Sequence, residues 1–489
     1  MELEGVEVER PLKLHFIPFL APGHMIPLCD IATLFACRAQ QVTIITTPSN
    51  AKFLNKSLSS ANPLFLRIHT VDFPSQQVGL PNGIESMSNT PDLDSSHKLY
   101  RGAMLLHEQI QDFMEADPPD CIIADFMYTW VNDLATKLHV PKLAFNGFSL
   151  FTVSLMETFR TNPSLHSLTD SGSFVVPNFP YHITLCSRPP KSYTGFMEPL
   201  LEKEVKSNGL IVNNFAELDG EECIEHYEKK TGHKAWHLGP ASLIRKTVQE
   251  KAERGQESAV SVHECLSWLN SKRDNTVLYI CFGSICHYSE KQLYEIACAI
   301  EASGHKFIWV VPEKIGKEDE SDEEKEKWLP KGFEEKNIGK QGLIIRGWAP
   351  QVLILSHPAV GGFMTHCGWN STVEAVGAGV PMITWPVHGE QFYNEKLITE
   401  VRGIGVEVGA TEWCLSSFAE RETLVTRDSI EKAVRRLMDG GDEAEKIRRR
   451  AHEFREKARG AVQEDGSSHK NLSALIDELK RLRDRKPFE

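Results

Sequence analysis

The chain has 489 residues, of which 41% are hydrophobic and 25% are charged, and this composition is typical of a globular protein with two domains. A formal net charge of −13 argues against a nucleic-acid partner, and no apolar run is long enough to span a membrane. Because the N-terminus does not resemble a secretory signal and the eleven cysteines form no CxxC pair, we expect a cytoplasmic protein with reduced thiols. We also expect a monomer.

In the first half of the chain, apolar strands alternate with helices. We predict strands at residues 11–20, 42–47, 65–71, 121–125, 142–146 and 209–214, and helices near 26–35, over 96–115 and from residue 128. Such alternation predicts a parallel sheet covered by helices on both faces. Residues 160–200 are rich in Pro, Ser, Thr and Gly and have little periodicity, so they are predicted to form a long loop beside a binding pocket.

A second unit of the same kind is predicted after a charged segment. Residues 245–260 lack an apolar period, and we place a domain linker there. Strands then follow at 276–284, 307–312 and 343–346, with a helix at 289–303, a mobile acidic loop at 313–327 and a last helix at 468–485. We therefore divide the chain into an N-terminal domain at 1–250, a C-terminal domain at 251–470 and a terminal helix within 471–489.

An anion site is predicted in the second unit. Residues 359–379 read AVGGFMTHCGWNSTVEAVGAG, which indicates an apolar strand, a glycine turn and a helix that begins at Asn370 and Ser371. The unpaired N–H groups and the positive dipole end of such a helix attract phosphate. His366, at the end of the strand, can donate to a diphosphate oxygen.

Residues on both sides of this turn suit the remaining parts of a sugar nucleotide. Trp348 and Gln351 supply an aromatic platform and an amide for a pyrimidine, and Glu374 can accept hydrogen bonds from ribose hydroxyls. Glu390 and Gln391 follow the strand PMITWP and offer a carboxylate and an amide to a polyhydroxylated sugar. Partners for base, ribose, diphosphate and sugar therefore occur together within residues 348–391.

This segment resembles the signature of the plant family 1 UDP-dependent glycosyltransferases. The matching residues are Trp348, Gln351, His366, Gly368, Trp369, Asn370, Ser371, Glu374, Glu390 and Gln391. The resemblance implies an α/β GT-B fold, in which two doubly wound Rossmann-like domains face a cleft and the terminal helix packs back on the first domain. It also implies inverting transfer of a sugar from a UDP-sugar to a small-molecule acceptor, with no metal or other cofactor.

The resemblance assigns a role to each donor residue. These residues are Trp348, Ala349 and Gln351 for uracil, Glu374 for ribose, His366, Asn370 and Ser371 for the diphosphate, and Trp369, Glu390 and Gln391 for the sugar. Gly368 is a further donor-binding residue without a specified partner. Ser284, in the FGS turn, is either a further phosphate contact or a helix cap. In this family a glutamine at the position of Gln391 usually accompanies UDP-glucose, so we expect glucose as the sugar.

Two residues of the first domain are candidates for catalysis. His24 follows the first strand in the turn APGH, and Asp125 ends the strand CIIAD, so both lie at the carboxyl edge of the predicted sheet. From position alone, each also fits a capping or packing role. In the resembled family the corresponding histidine and aspartate form the catalytic pair. His24 would take a proton from the acceptor hydroxyl, and Asp125 would hold the imidazole in the useful tautomer.

The acceptor is less well specified than the donor. Candidate residues for an apolar acceptor cleft are Phe126, Phe148, Phe151, Phe196 and Met197, and core packing accounts for most of them equally well. The segments HMIPLCDIA and WPVHGEQFYNEKLI resemble the branch that acts on flavonoids and triterpenoid saponins. Alternative interpretations are a UDP-galactose or UDP-glucuronate donor, a non-catalytic sugar-nucleotide binder, and an NAD-dependent oxidoreductase, for which APGHMIP lacks the glycine triplet.

Overall fold

The computed structural model describes residues 10–58, 62–162, 165, 171–187, 189–312, 327–414, 418–419 and 421–485. Within them it forms a seven-stranded sheet in the order β3-β2-β1-β4-β5-β8-β9, a six-stranded sheet in the order β12-β11-β10-β13-β14-β15, and the hairpin β6-β7. The strands are β1 Lys13–Ile17, β2 Gln41–Thr46, β3 Leu66–Thr70, β4 Cys121–Asp125, β5 Lys142–Asn146, β6 Ser171–Val175, β7 Thr184–Ser187, β8 Leu210–Val212, β9 Ala235–His237, β10 Val277–Cys281, β11 Lys306–Val311, β12 Gly342–Arg346, β13 Val360–Thr365, β14 Met382–Thr384 and β15 Gly405–Glu407.

Helices cover both sheets. In the N-terminal half they are α1 Pro22–Cys37, α2 Pro48–Ser57, α3 Ser75–Val78, α4 Leu93–Met104, α5 His107–Ala116, α6 Val131–Lys137, α7 Leu150–Thr161, α8 Lys191–Glu204, α9 Ala216–Asp219 and α10 Glu221–Thr231. In the C-terminal half they are α11 Val248–Ala252, α12 Val262–Asn270, α13 Glu290–Ser303, α14 Phe333–Asn337, α15 Gln351–Leu355, α16 Trp369–Ala378, α17 Gln391–Lys396, α18 Arg427–Met438, α19 Asp442–Val462 and α20 Ser467–Asp484. Single-turn elements occur at Met87–Asn89, Ala241–Ile244 and Leu397–Val401. The predicted α/β class with two doubly wound sheets is confirmed.

Both sheets are parallel, and their central strands are buried. Strand β1 pairs with β2 on one side and with β4 on the other, and β10 pairs in the same way with β11 and β13. Every residue of β4 and β13 is buried, as expected where helices cover both faces. The carboxyl ends of β1 and β4 therefore meet at one edge of the first sheet, and those of β10 and β13 meet at one edge of the second.

The sequence predicts one long loop at residues 160–200, and this prediction is wrong. The antiparallel hairpin β6-β7 and helix α8 occupy most of this segment. On α8, the side chains of Met197, Leu200 and Leu201 are buried at helical spacing. Pro199 within the helix, together with the polar residues around these three, conceals the period in the sequence. The predicted helix over 96–115 is likewise two helices, α4 and α5.

The segment at residues 245–260, called the connector below, is ordered and partly buried. Helix α11 begins with a capping box between Thr247 and Glu250. Arg245 and Arg254 are 4% and 8% exposed, and both bond to Asp30 of helix α1. Two of the charges that make this segment resemble a solvated linker in the sequence, those of Arg245 and Arg254, are instead paired inside the protein.

The last described helix packs on the first sheet. Helix α20 contacts β9, and its residues Leu472, Leu475 and Leu479 are buried in one cluster with Leu14 and Trp236. Burial of these apolar side chains stabilises the contact between the end of the chain and its N-terminal half.

Among the helices that the structure describes, none combines the length and hydropathy of a bilayer span. The same residues include no group of three or more His, Cys, Asp or Glu side chains placed to hold a metal ion. Of the predicted acidic loop at 313–327, residues 313–326 lie outside the described part of the chain.

Candidate active site

The adjacent strands β1 and β4 bring His24 and Asp125 together. His24 lies in the first turn of α1, whose start is favoured by Pro22, and Asp125 is the last residue of β4. The Nδ1 atom of His24 lies 2.8 Å from Oδ2 of Asp125. The other oxygen of this fully buried carboxylate accepts a hydrogen bond from the backbone N–H of Met127 at 3.1 Å. Because a carboxylate can only accept, Nδ1 carries the proton and Nε2 is left as the basic nitrogen.

The surroundings of His24 hold its ring in place. Phe19 packs edge-on against it with centroids 5.6 Å apart, and Phe126 stacks on it at 6.1 Å. Burial lowers the pKa of His24, but the charge and hydrogen bond of Asp125, together with the charge of Glu390, outweigh it and raise the pKa above its usual value of 6.5. The imidazole side chain is still 21% exposed, so a ligand can reach it.

Strand β13 and helix α16 form the predicted anion site. Cys367, between them, has φ of 65°, and Gly368 caps the helix. The ring of His366 packs between Gly283 and Gly368, where a Cβ atom on either glycine would overlap it. Burial lowers the pKa of His366 to about 3, and its Nδ1 has no partner among the described residues. The imidazole is therefore neutral near pH 7 and can donate a single N–H to a ligand.

Hydrogen bonds join the start of α16 to the turn that carries His24. The side-chain amide of Asn370 donates to the carbonyl oxygen of Gly23 and accepts from Asn213 at 3.2 Å. The indole N–H of Trp369 donates to the carbonyl oxygen of Asn213 at 2.9 Å. The predicted anion site of the second sheet thus lies against the turn that carries His24.

The residues predicted for uracil and ribose form one hydrogen-bonded group. The amide of Gln351 donates to Oγ of Ser371 at 3.0 Å and to Oε2 of Glu374 at 2.8 Å. Trp348 is half-buried, and Ala349 is 7% exposed. Arg254, a residue that the sequence does not indicate, contacts the other oxygen of Glu374 at 2.5 Å.

The residues predicted for the sugar differ in how much of their side chains remains available. The Trp369 side chain is 2% exposed and its N–H is already bonded, so a sugar can meet only its backbone. The Gln391 side chain is buried, and its oxygen accepts from the backbone N–H groups of Val387 and His388. Glu390 is half-buried, and burial raises its pKa to about 7 despite backbone hydrogen bonds and the nearby charge of His24. Glu390 therefore has the most accessible of the three side chains.

Ser284 lies exposed in the loop after β10. It does not cap the following helix, because Ser289 occupies that position and accepts from the N–H of Gln292 at 3.3 Å. The helix-cap alternative for Ser284 is therefore wrong, and a phosphate contact stays a prediction.

The five candidate acceptor residues do not form one surface. Phe126 lies between His24 and Phe148, with the two phenylalanine rings 5.6 Å apart. Phe151 is fully buried and packs on Phe179 and Tyr181, so it belongs to the core and not to a cleft. The remaining two lie on helix α8.

Of these two, Phe196 is 47% exposed and contacts Tyr100, whereas Met197 is buried beside a recess. The recess is small, with a cavity volume of about 40 Å³. Apolar and aromatic side chains form most of its lining, among them Met156, Phe159, Tyr193, Met197, Leu201 and Tyr393. The sequence does not indicate Tyr193, because it lies on the helix that the loop prediction misses.

Tyr193 connects the recess to the loop that precedes Glu390. Its ring lies close enough to Gly389 that a Cβ atom there would be 4.0 Å away. The Tyr193 hydroxyl is buried without a partner in the described part of the chain. An apolar recess thus adjoins the loop before the carboxylate that is predicted to contact the sugar.

Comparison with known proteins shows a similarity along almost the whole chain. Residues 233–437 match the family model described as "UDP-glucoronosyl and UDP-glucosyl transferase". The protein "UDP-glucosyl transferase 73CC6" of Saponaria officinalis is 47% identical over 491 residues, covering 98% of this chain and 99% of that protein. "UDP-glucose flavonoid 3-O-glucosyltransferase 7" of Fragaria ananassa is 44% identical, with 97% of each chain covered.

Solved structures agree with this similarity. Glycyrrhiza uralensis UGT73P12, in complex with glycyrrhetinic acid 3-O-monoglucuronide, matches with a TM-score of 0.88 and 39% identity over 97% of this chain and 96% of that one. Arabidopsis thaliana UGT89C1, in complex with UDP-L-rhamnose, matches with a TM-score of 0.76 and 28% identity over 96% and 99%.

Proposed function

Since this chain belongs to the plant UDP-dependent glycosyltransferases, we propose that it transfers glucose from UDP-glucose to a hydroxyl group of a triterpenoid or a flavonoid, with inversion at the anomeric carbon. One observation supports this proposal above the others. The pair His24 and Asp125 of the first sheet lies against the start of helix α16 of the second, through the hydrogen bond from Asn370 to Gly23. We assign acceptor binding to residues 1–250 and donor binding to residues 251–470.

His24 is the proposed base. As the acceptor oxygen attacks the anomeric carbon, Nε2 of His24 takes the hydroxyl proton and the bond from that carbon to the UDP oxygen breaks. Asp125 keeps the proton on Nδ1 before the reaction and stabilises the imidazolium that forms. Attack on the side opposite to the leaving UDP inverts the configuration at the anomeric carbon.

The leaving diphosphate is stabilised by the start of α16. Negative charge grows on the departing oxygen, and the unpaired N–H groups at a helix N-terminus, with the positive end of its dipole, favour that charge. His366 adds a neutral N–H donor, and Asn370 and Ser371 add polar side chains beside it. Because these groups are in place before the reaction, they need little reorganisation during it.

Glucose is the proposed sugar for two reasons. The relatives from Saponaria officinalis and Fragaria ananassa are both named as glucosyltransferases. Gln391 ends the donor segment, and in the family that residue usually accompanies UDP-glucose. A uronate donor would need a cationic partner, and Trp369 stands where some glucuronosyl-transferring relatives have arginine.

The proposed acceptors follow from the relatives and from the recess. UGT73P12 binds glycyrrhetinic acid 3-O-monoglucuronide, a glycosylated triterpenoid, and the Fragaria ananassa relative is named for flavonoids. The recess beside Met197 and Tyr193 is lined mostly by apolar and aromatic side chains, so it favours an apolar part of an acceptor, whose surface is removed from water there.

The proposal is tested with the purified full chain. It is incubated with UDP-glucose, UDP-galactose or UDP-glucuronate and with triterpenoid, flavonoid and coumarin acceptors in a complete matrix. We expect mass spectrometry to detect hexose addition chiefly with UDP-glucose, and NMR to show a β-linkage formed from the α-linked donor. UDP binding without transfer to any acceptor would indicate the non-catalytic alternative, and a retained α-linkage would exclude the proposed mechanism.

A further inference from the structure

Glu374, the carboxylate predicted to hold the ribose, is bound by the connector. Nη1 of Arg254 lies 2.5 Å from Oε1 of Glu374, and Nε of Arg254 lies 2.7 Å from Oδ2 of Asp30. Glu374 is on helix α16 of the second sheet, and Asp30 is on helix α1 of the first. A single guanidinium therefore joins the two halves of the protein at the nucleoside end of the donor site.

All three groups are removed from solvent. Asp30, Glu374 and Arg254 are 1%, 7% and 8% exposed. An unpaired buried charge strongly raises the free energy of the folded protein. The Glu374 carboxylate is therefore held where it pairs with Arg254. Gln351 bonds its second oxygen, and each carboxylate oxygen keeps a lone pair for another donor.

Arg254 also retains a donor of its own. Its Nη2 atom is buried and has no hydrogen-bond partner within the described residues. Arg245, by contrast, is fully engaged in holding Asp30 and the chain beside it. It contacts Oδ1 of Asp30 through Nε and Nη2, and it donates from Nη1 to the carbonyl oxygen of Ser57 at 2.7 Å. Arg245 makes no hydrogen bond to Glu374 among those described.

The next residue of the connector packs on the predicted uracil platform. Gly255 has φ of 98°, and a Cβ atom there would overlap the indole ring of Trp348. The backbone N–H of Ala259 donates to the carbonyl oxygen of Trp348 at 2.8 Å. Residues 254–259 therefore contact both Glu374, the carboxylate predicted to bind the ribose, and Trp348, the predicted aromatic platform for uracil.

We propose that the connector forms one wall of the uridine subsite, with Arg254 orienting Glu374 toward the ribose hydroxyls and Gly255 setting the position of the Trp348 ring. This inference rests on the proposed function, because it takes Glu374 and Trp348 as donor-binding residues. Arg254 and Gly255 are positioning residues, since they act through these two side chains. Helix α1 carries both Asp30 and His24, so the same contacts tie the nucleoside subsite to the helix of the base.

The decisive experiment compares Arg254→Lys with Arg245→Lys by calorimetric titration of UDP and of 2′-deoxy-UDP. Both variants weaken a buried ion pair with Asp30, but only Arg254→Lys removes the planar guanidinium that also bonds to Glu374. For Arg254→Lys we expect an increase of about tenfold in the Kd for UDP, as for loss of one charge-assisted hydrogen bond, and a smaller preference for UDP over 2′-deoxy-UDP. Arg245→Lys is expected to preserve that preference.

A second pair of variants keeps the inference testable if Arg254→Lys does not fold. Gly255→Ala introduces a side chain against Trp348, whereas Gly440→Ala introduces one at a similar φ, 88°, with no neighbouring atom within 4 Å. We expect only Gly255→Ala to weaken UDP binding, again by about tenfold.

The outcomes separate the two proposals. If the unmodified protein binds no UDP, the proposed function fails. If it binds UDP and transfers glucose, but the two arginine variants lose equal affinity and keep the same preference for the 2′-hydroxyl, the role of the connector is refuted. Equal losses in the two glycine variants would likewise remove Gly255 from the subsite.

Discussion

Nδ1 of His24 lies 2.8 Å from Oδ2 of Asp125, although 101 residues separate them in the chain. The pairing of β1 with β4 produces this contact, because His24 follows the carboxyl end of β1 and Asp125 is the last residue of the adjacent parallel strand β4. Asp125 is fully buried and has its second oxygen bonded to Met127, so its orientation is restricted. The pair can therefore present one defined nitrogen, Nε2, to the cleft.

Replacing His24 by alanine is expected to remove the base and leave the donor site intact. The kcat for glucose transfer should fall by roughly 10²- to 10⁴-fold, the usual contribution of general-base catalysis. The Kd for UDP, measured by calorimetry, should stay close to that of the unmodified protein. His263→Ala, at an exposed position on helix α12, serves as the control. Turnover near the unmodified rate in His24→Ala would show that another group takes the proton.

Replacing Asp125 by asparagine is expected to change the pH dependence of kcat/KM for the acceptor. His24 acts when neutral, so activity rises with pH through the His24 pKa, which Asp125 raises above 6.5. Without the carboxylate charge the imidazolium is less stable, so the His24 pKa falls and the rise of kcat/KM with pH should occur at lower pH. The plateau should also fall, because the asparagine amide can donate to Nδ1 and favour the wrong tautomer. If kcat/KM rose over the same pH range in both proteins, a group other than His24 would be responsible for the rise.

Replacing Tyr193 by phenylalanine is expected to affect the acceptor and not the donor. The Tyr193 hydroxyl is buried beside the recess without a partner in the described residues, and burial keeps its pKa well above 10. It is thus a neutral donor that an acceptor oxygen can use. Loss of one neutral hydrogen bond corresponds to an increase of about fivefold in the acceptor KM, with the Kd for UDP unchanged. Tyr294→Phe, on helix α13, is the matched control, and an equal effect there would exclude a specific contact.

Most strands of the two sheets and the donor segment could be predicted because their signals are local. Apolar runs such as residues 121–125 and 277–281 are buried on both faces, and the glycine turn before α16 lies in one short stretch. The sequence also predicts that His24 and Asp125 lie at the same sheet edge. Their 2.8 Å contact depends on the order of the strands, which no local pattern specifies.

The connector was not predictable for the opposite reason. Arg245 and Arg254 occur among lysines and glutamates, and such a composition indicates solvent exposure. Both are buried against Asp30, more than 200 positions earlier, and Arg254 also against Glu374, 120 positions later. The buried side chains of α8 were missed in a similar way, since Pro199 and polar neighbours conceal their helical spacing. Tertiary contacts determine whether such distant charges pair and whether a short helix interrupted by proline forms, and the local sequence does not show these contacts.

Replacing His366 by alanine is expected to weaken diphosphate binding selectively. The ring is held between Gly283 and Gly368, and with a pKa of about 3 it stays neutral over the working pH range. It therefore offers one N–H to an oxygen of the diphosphate and makes no predicted contact with the base. The affinity for UDP should fall about tenfold, as for a hydrogen bond to a charged group, whereas the affinity for uridine should not change.

A second variant tests whether UDP binding depends on the position of the His366 ring as well as on its presence. Gly283→Ala places a Cβ atom against the His366 ring, and Gly304→Ala, at a similar φ with no atom within 4 Å, is its control. We expect Gly283→Ala to reproduce the loss of UDP affinity while Gly304→Ala does not. If His366→Ala weakened uridine and UDP binding equally, His366 would be supporting the fold of the site, and the diphosphate would be held by the start of α16 alone.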